Sequence, residues 1–530
     1  MSEANEPTPP MTYERACAEH CWRVPARYNI AQDVAFKHPR DRLAMLFESH
    51  TGEQREVSWG QLQDDARRFA NVLAGCGVTP GDRVAMLLTP RPETASAFLA
   101  CYASGAILLS MSVLYGDEGI RYRVEDSGAR VIVTNAEHAE RVRALQLPVE
   151  HVIVLTRELL DGAAADFTPR DTHADDPAQI YYSSGTTGLA KGILHAHRYL
   201  LAHEEFVYCH DVRPGERFHG MGEWAWAAGI SPLLGPWRLG AVQVVYERKG
   251  GFDPHEQLAF LSRYRVSNVF TTPTAMRSMM RIDDAGTRYP QAFRIVCSAG
   301  EPLNPEAIRW FREQYGVTVL DYYGLSESYP LCANFPWMEV REGSMGKPMP
   351  GWDVQILDED ERPVGVGERG EICLRARSNP HYPLGYWGKE DAAAQAFGGE
   401  WFHTRDAASR DEDGYFWYEG RADDVIISAG YRIGPFEVES ACLEHPAVAE
   451  AAAVASPDER RGSVVKAFIV LAADAVASDE LAAAIQDHVR SRLAAYAYPR
   501  RISFVEELPK TLTGKIRRIE LRQAEARGGA

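Results

Sequence analysis

Excess positive charge, C-x-x-C cysteine pairs and a basic-then-apolar pattern at its start are all missing from this sequence. The 530 residues carry 57 Lys and Arg against 74 Asp and Glu, a formal balance of −17. That balance argues against general affinity for nucleic acid or an anionic membrane, and it requires any anionic ligand to be held by local cations. The nine cysteines are scattered, with no C-x-x-C pair. Cys17 and Cys21 flank His20 on an expected helix, but no second ligand pair follows, so zinc is not expected there. Reduced thiols and a cytoplasmic location fit this usage. The N-terminus has no basic-then-apolar signal segment. Internal repeats and long low-complexity tracts are also absent, although 473–484 is alanine-rich in the manner of a good helix.

Charge is absent from 94–115, a stretch long enough to span a bilayer. It holds Gly105, four serines and a threonine, and it divides into a helix near 95–104 and a strand near 106–109. A buried helix–strand unit, rather than a membrane span, is the expectation.

What is present is the composition of a globular protein, 45% hydrophobic and 25% charged, in a chain too long for one core. Residues 1–10 are polar and proline-rich, which predicts disorder. From Tyr13 onward, short apolar strands (83–88, 130–134, 242–246) alternate with amphipathic helices (59–76, 304–315), the pattern of α/β layering. Between 343 and 418 the strands shorten and turns multiply, predicting a β-rich subdomain. After Gly420, helices near 434–445 and 479–495 and strands near 448–456, 466–471 and 501–505 predict a separate α+β domain.

The most informative run is Tyr181-Tyr-Ser-Ser-Gly-Thr-Thr-Gly-Leu-Ala-Lys-Gly192. Gly185 and Gly188 let a backbone fold tightly and bring its N–H groups to phosphate oxygens. Ser183, Ser184, Thr186 and Thr187 donate to the same oxygens, and Lys191 adds a compact positive charge. A polyphosphate site is the natural reading. It is not a Walker A loop, since no Gly-Lys-Ser/Thr follows a four-residue spacer.

This run closely resembles the phosphate loop of the acyl-adenylate-forming superfamily, which includes acyl-CoA synthetases, adenylation domains and luciferases. Further motifs follow in family order, covering nearly the whole chain from about Ser58. The segment with Gly300, Glu301 and Pro302 resembles a wall of the adenine pocket. Asp321-Tyr-Tyr-Gly-Leu-Ser-Glu327 resembles the Tyr-Gly-x-Thr-Glu motif, with Ser326 keeping the threonine hydroxyl. The resemblance implies Glu327 as the Mg2+ ligand and Tyr322 or Tyr323 against adenine. Asp406 falls where the ribose-binding carboxylate sits. The run 420–439 looks most like the medium-chain acyl-CoA synthetases. It implies Arg421 on ribose or phosphate, Arg432 on phosphates and Asp423 as the hinge of a rotating C-terminal domain. The segment 508–517 resembles the terminal catalytic-lysine motif, with Lys515 as the lysine.

A second basic set, Arg461, Arg490 and Arg500, together with Gly430 and Tyr431, resembles CoA-binding positions of that group. CoA carries three phosphates, which suit bidentate arginines. Ala429 and Ala497 depart from the usual serine and lysine there. An amine or a carrier-protein thiol therefore stays open as the acceptor. For the acid, Gly324 stands where acetyl-specific relatives close the pocket with tryptophan, so glycine implies room for a longer chain or ring. Trp224, Ala225 and Gly229 fall where the family lines the acyl site, with core packing the competing reading for the tryptophans. Glu223 reads either as a pocket group or as a helix-end charge.

These readings imply an α/β protein. Its large N-terminal domain (13–420) carries a β-rich subdomain at 343–420, and a small mobile α+β C-terminal domain spans 421–530 behind a tail at 1–12. The implied function is ATP-dependent ligation of a medium-chain aliphatic or aromatic acid to CoA, with Mg2+ as cofactor. The expected partners are the carboxylic acid, ATP and CoA, with no nucleic acid and no membrane span; a homodimer stays open.

Overall fold

The computed structural model describes residues 11–182, 190–421, 424, 426–428, 431–458, 462–493, 497–511 and 515–526. Two mixed sheets form its bulk. In the nine-stranded sheet, Val319–Leu325, Ile295–Ser298, Asn268–Thr271, Arg217–Gly220, Val242–Glu247 and Leu43–Ser49 lie side by side and parallel. Antiparallel strands close its edges. In the seven-stranded sheet, Pro177–Tyr182, Ile107–Met111, Arg83–Leu87, Val131–Thr134 and His151–Val154 are parallel. Gly192–Ala196 and Gly385–Tyr386 extend it antiparallel.

The uncharged stretch is explained by the layer between these sheets. Helix Pro92–Ala103 starts with proline in its first turn, where the missing N–H costs nothing, and stops before Gly105 at φ +70°. Phe98, Leu99 and Tyr102 share one cluster with Met45 and Phe47 of the first sheet and Val84, Met86 and Leu108 of the second. A helix clamped on both sides must be apolar all round. Each such side chain contributes roughly 1.5–3 kcal/mol by leaving water. Among the described residues no helix is long and apolar enough to cross a membrane.

Helix Trp59–Gly75 lies in the same layer. It opens with a capping box in which Ser58 and Gln61 satisfy each other's free N–H groups. The outer face of the first sheet is covered by Pro254–Arg263, Pro273–Met279 and Pro305–Tyr315, which bury Leu258, Leu261, Met276 and Phe311. Asp117–Ser127 covers the second sheet through Ile120 and Val124.

Within 343–420, Val354–Leu357, Arg369–Arg375, Trp401–Arg410 and Phe416–Arg421 form an antiparallel four-stranded sheet. The strands Lys347–Pro348 and Gly385–Tyr386 leave this segment to join the two large sheets. From Ile426 on, the chain builds its own apolar cluster, with Val438, Ala453, Val465, Ile469, Ile485 and Val489.

One local expectation is corrected. The first helix is Tyr13–Glu19, so His20 and Cys21 lie beyond it and the two exposed thiols do not share a helix face with His20. The helix expected near 479–495 is Asp479–Arg492, which Ser478 caps by accepting from the Leu481 N–H. Arg421 closes the strand Phe416–Arg421 opposite Asp406.

Candidate functional site

Parallel strands leave their carboxyl ends free to line a crevice, and this is where α/β proteins place ligands. In the nine-stranded sheet, Ile295–Ser298 ends into Gly300, whose φ of +95° and open surroundings suit glycine. Glu301 is tied to Arg277 at 2.8 Å and to the Thr274 hydroxyl at 2.8 Å, so its carboxylate is consumed within the wall. Pro302 is half-buried beside it.

Strand alternation along Val319–Leu325 separates the two candidate tyrosines. Tyr322 faces the core, fully buried against Phe270, His210 and Tyr329, which withdraws it as a ligand contact. Tyr323 is half-buried and donates its hydroxyl to Asp406 at 2.6 Å. Asp321 is buried, its Oδ1 has no hydrogen-bond partner, and burial pushes its proton affinity well above the carboxylate range.

Asp406 collects contacts from three parts of the chain. Besides Tyr323, it accepts from the Tyr418 hydroxyl at 3.5 Å and lies 3.7 Å from Arg421. Burial raises its pKa, opposed by the Tyr323 hydrogen bond and by the charges of Arg421 and Lys515. Lys515 is exposed, its carbonyl accepts from the Thr511 N–H at 2.8 Å and its N–H donates to the Thr511 hydroxyl at 3.1 Å. Glu327 sits nearby, half-buried, and accepts from the Tyr386 hydroxyl at 3.3 Å. Burial raises its pKa too, opposed by that hydrogen bond and by Arg421 and Lys191. The Lys191 ammonium lies 4.8 Å from the centre of the Tyr386 ring. Contacts thus join Lys191, Tyr386 and Glu327 on one side and Arg421 and Asp406 on the other, with Arg421 electrostatically coupled to Glu327 and Lys515 to Asp406. The Ser326 carbonyl accepts from His195 Nε2 at 2.9 Å, and burial holds that imidazole neutral with a pKa lowered to about 4.

A side chain at Gly324 would run into the Tyr329 ring at 2.6 Å and the Ser328 carbonyl at 3.0 Å. The glycine therefore permits close packing of Val319–Leu325 on Ser328–Ala333. Trp224 packs on Phe98 in the inter-sheet core, and Ala225 is buried with it. Trp226 is half-buried, edge-on to Tyr115. Gly229 is required because the Glu223 carbonyl stands 1.8 Å from where a Cβ would be. Glu223 is half-buried: it accepts from Ser112 at 2.5 Å, and burial raises its pKa against the influence of Ser112 and Arg248.

A family model described as AMP-binding enzyme matches residues 31–387, and one described as AMP-binding enzyme C-terminal domain matches 437–515. The chain belongs to the AMP-binding enzymes. An acyl–CoA ligase of Bacillus subtilis (strain 168), YtcI, whose name marks it as uncharacterized, is 36% identical over 95% of this chain and 97% of its own length. The mitochondrial acyl-coenzyme A synthetase ACSM3 of Mus musculus is 35% identical over 97% and 93%. Among solved structures, the anthranilate CoA ligase AuaEII in complex with anthranoyl-AMP superposes with a TM-score of 0.87 at 31% identity, covering 95% of this chain and 98% of that one. A benzoate CoA ligase from Burkholderia xenovorans LB400 gives 0.84 at 28%, covering 93% and 100%.

In this AMP-binding enzyme, Ser183, Ser184, Gly185, Thr186, Thr187, Gly188, Asp423, Gly430 and Arg461 lie outside the described residues. So do the side chains of Tyr431 and Arg432, whose backbones form the short strand Tyr431–Ile433. Of the basic set, Arg490 lies on Asp479–Arg492 near Asp487, and Arg500 stacks on Tyr498 and donates to its hydroxyl at 2.9 Å. Among the described residues no contact joins those two arginines. Ala497 is a buried member of the C-terminal apolar cluster, a place where a lysine would have to leave its charge unsolvated. Sequence reading missed Tyr386, Tyr418 and His195. The glycine-flanked aromatic run Gly385-Tyr-Trp-Gly388 is the one signal that pointed to the first.

Proposed function

We propose that this AMP-binding enzyme acts on an aromatic or medium-chain aliphatic carboxylic acid. It is an ATP-dependent acid–thiol ligase that joins the acid to CoA through an acyl-adenylate. One observation carries the reading of its residues. Two carboxylates whose pKa is raised by burial, Glu327 and Asp406, lie within the electrostatic reach of three cations, Lys191, Arg421 and Lys515.

The donor set fits the ligands such a reaction requires. Glu327 keeps carboxylate oxygens beyond its single hydroxyl partner, and hard oxygens of this kind suit Mg2+. When bound, that ion would neutralise charge on the phosphates of ATP. Asp321 offers an unpaired buried oxygen that can accept from the adenine amine. Asp406 can accept from ribose hydroxyls. As the acid's oxygen bonds to the α-phosphorus and the bond to pyrophosphate breaks, charge builds on the transferring oxygens. Lys515 and Arg421 would stabilise it there. The CoA sulfur then bonds to the acyl carbon and AMP leaves. Relatives named for anthranilate and benzoate support an aromatic acid, as does the ring-walled environment of Trp226 and Tyr115.

A panel of aromatic and aliphatic acids tests the substrate class, with pyrophosphate release and acyl-CoA mass followed together. Turnover with one of these classes is the expected result. Turnover confined to acetate or dicarboxylic acids would overturn it.

A further inference from the structure

A separate cluster lies on the four-stranded sheet. Glu371 and Cys373 are two residues apart on Arg369–Arg375, so both side chains leave the same face. His403, on the neighbouring strand Trp401–Arg410, is the direct cross-strand partner of Cys373. One ligand atom from each of the three lies within 4.8 Å of the others. The contacts are specific: His403 Nδ1 is 3.4 Å from Cys373 Sγ and 3.0 Å from Glu371 Oε2. On the far side of the ring, Nε2 faces Glu361 Oε1 at 3.3 Å.

We propose that Glu371, Cys373 and His403 form a binding site for a thiolate-preferring divalent transition metal, with zinc the best match. The geometry carries the proposal. Zinc bonds of about 2.3 Å to sulfur and about 2.0 Å to nitrogen, set at a tetrahedral angle, place those two atoms roughly 3.5 Å apart. Cys373 Sγ and His403 Nδ1 already stand at 3.4 Å. The ring orientation is also fixed correctly. Nε2 faces Glu361 and Nδ1 donates to the Glu371 carboxylate, so a metal at the cluster would take the place of the Nδ1 proton while Glu361 keeps the Nε2 proton, the carboxylate–histidine–metal arrangement seen around bound zinc. Glu371 is anchored as well, since its other oxygen accepts from the Arg405 N–H at 2.6 Å.

The charges balance. On binding, the Cys373 thiol and His403 Nδ1 each lose a proton to solvent, and thiolate plus carboxylate offset the two charges of the metal, leaving a neutral complex with a neutral imidazole around a buried sulfur. Sulfur and imidazole together exclude Mg2+ and Ca2+, which take oxygen ligands. The site is distinct from the adenylate cleft, yet it shares a strand with Asp406.

Full-length protein, stripped with a chelator and titrated with Co2+, tests the proposal. Expected are a near-ultraviolet thiolate-to-cobalt charge-transfer band and intense visible bands of tetrahedral cobalt, saturating at one equivalent. Cys373→Ser should abolish the charge-transfer band while keeping wild-type ligase activity, which shows that the variant is folded. His403→Ala should abolish the tetrahedral bands. A Cys17→Ser, Cys21→Ser variant should keep both signals. Zn2+ should raise the melting temperature of the wild type and leave Cys373→Ser unchanged. Absence of the band in wild-type protein overturns the proposal and leaves the trio as a hydrogen-bonded cluster. So does a band that survives Cys373→Ser or is lost with Cys17 and Cys21, or a zinc shift equal in wild type and Cys373→Ser.

Discussion

Glu327 illustrates how one residue links site chemistry to stability. Burial lifts its pKa above the ordinary value of 4.5, and the cations beside it only partly offset that. An acid shifted upward on folding binds more protons in the native state than in the unfolded one between its two pKa values. Its contribution to stability is therefore lost as pH rises from the unfolded value through the folded one. Glu327→Gln should flatten that fall. Melting temperatures of the two proteins, compared in steps from acid toward neutral pH, should converge at the acid end, with the variant gaining relative to wild type as pH rises. A constant difference between the two curves would contradict the assignment. Gly324 gives a second prediction. A Cβ there meets both a ring and a backbone carbonyl, so Gly324→Ala should cost about 1–3 kcal/mol. Adding Tyr329→Ala should recover only the part due to the ring. Equal thermal stability of Gly324→Ala and wild type would show that this packing relaxes freely.

At the scale of elements, much was legible because the signals are local. The uncharged stretch resolved into Pro92–Ala103 and Ile107–Met111, since full burial on both sides dictates an apolar helix and an apolar strand. The Ser58–Gln61 capping box marks the start of Trp59–Gly75 in the sequence itself. What escaped depends on distant pairing. Tyr386 reaches Glu327 only because Gly385–Tyr386 pairs with Gly192–Ala196 in another sheet. Nothing local says that Tyr329 packs against Gly324, or that Tyr322 and Tyr323 point to opposite faces with only the second toward Asp406. The helix expected near 479–495 was legible too, because Ser478 supplies a local cap at its start. The turn before Ala227–Arg238 supplies the prediction at this scale. Gly229→Ala would drive a methyl into the Glu223 carbonyl, and backbone yields less readily than a side chain. It should destabilise by more than Gly324→Ala, with a lower melting temperature and loss of the Ser112–Glu223 contact. Unchanged stability would mean that the turn is not held as described.

Across the whole molecule, the segment after Ile426 builds its own core yet delivers one lysine to a cleft made by the rest. Asn304 Nδ2 donates to Ser440 Oγ at 3.1 Å, and Tyr418 packs edge-on to Phe436, so the two parts touch where the cleft lies. Arg518 pairs with Glu439 at 2.6 Å, which ties the start of helix Arg518–Ala526, three residues after Lys515, to helix Pro435–Leu443. Lys515 is exposed on its own part of the chain, and its charge is felt at Asp406 on the other. In the function proposed above, this arrangement is the one in which the lysine would serve adenylate formation. The acceptor step has a different requirement, because the cations expected to hold CoA are spread over the C-terminal part and share no contact among the described residues.

The partial reactions of Lys515→Ala test that claim most directly. Adenylation is read as acid-dependent exchange of pyrophosphate into ATP. Thioester formation is read from synthetic acyl-adenylate and CoA. Removing a positioned charge-stabilising group costs about two to three powers of ten in rate, or roughly 2.7–4 kcal/mol. The account predicts that loss in the exchange reaction, with thioester formation at the wild-type rate. Equal loss in both half-reactions, or full exchange activity in the variant, would contradict it.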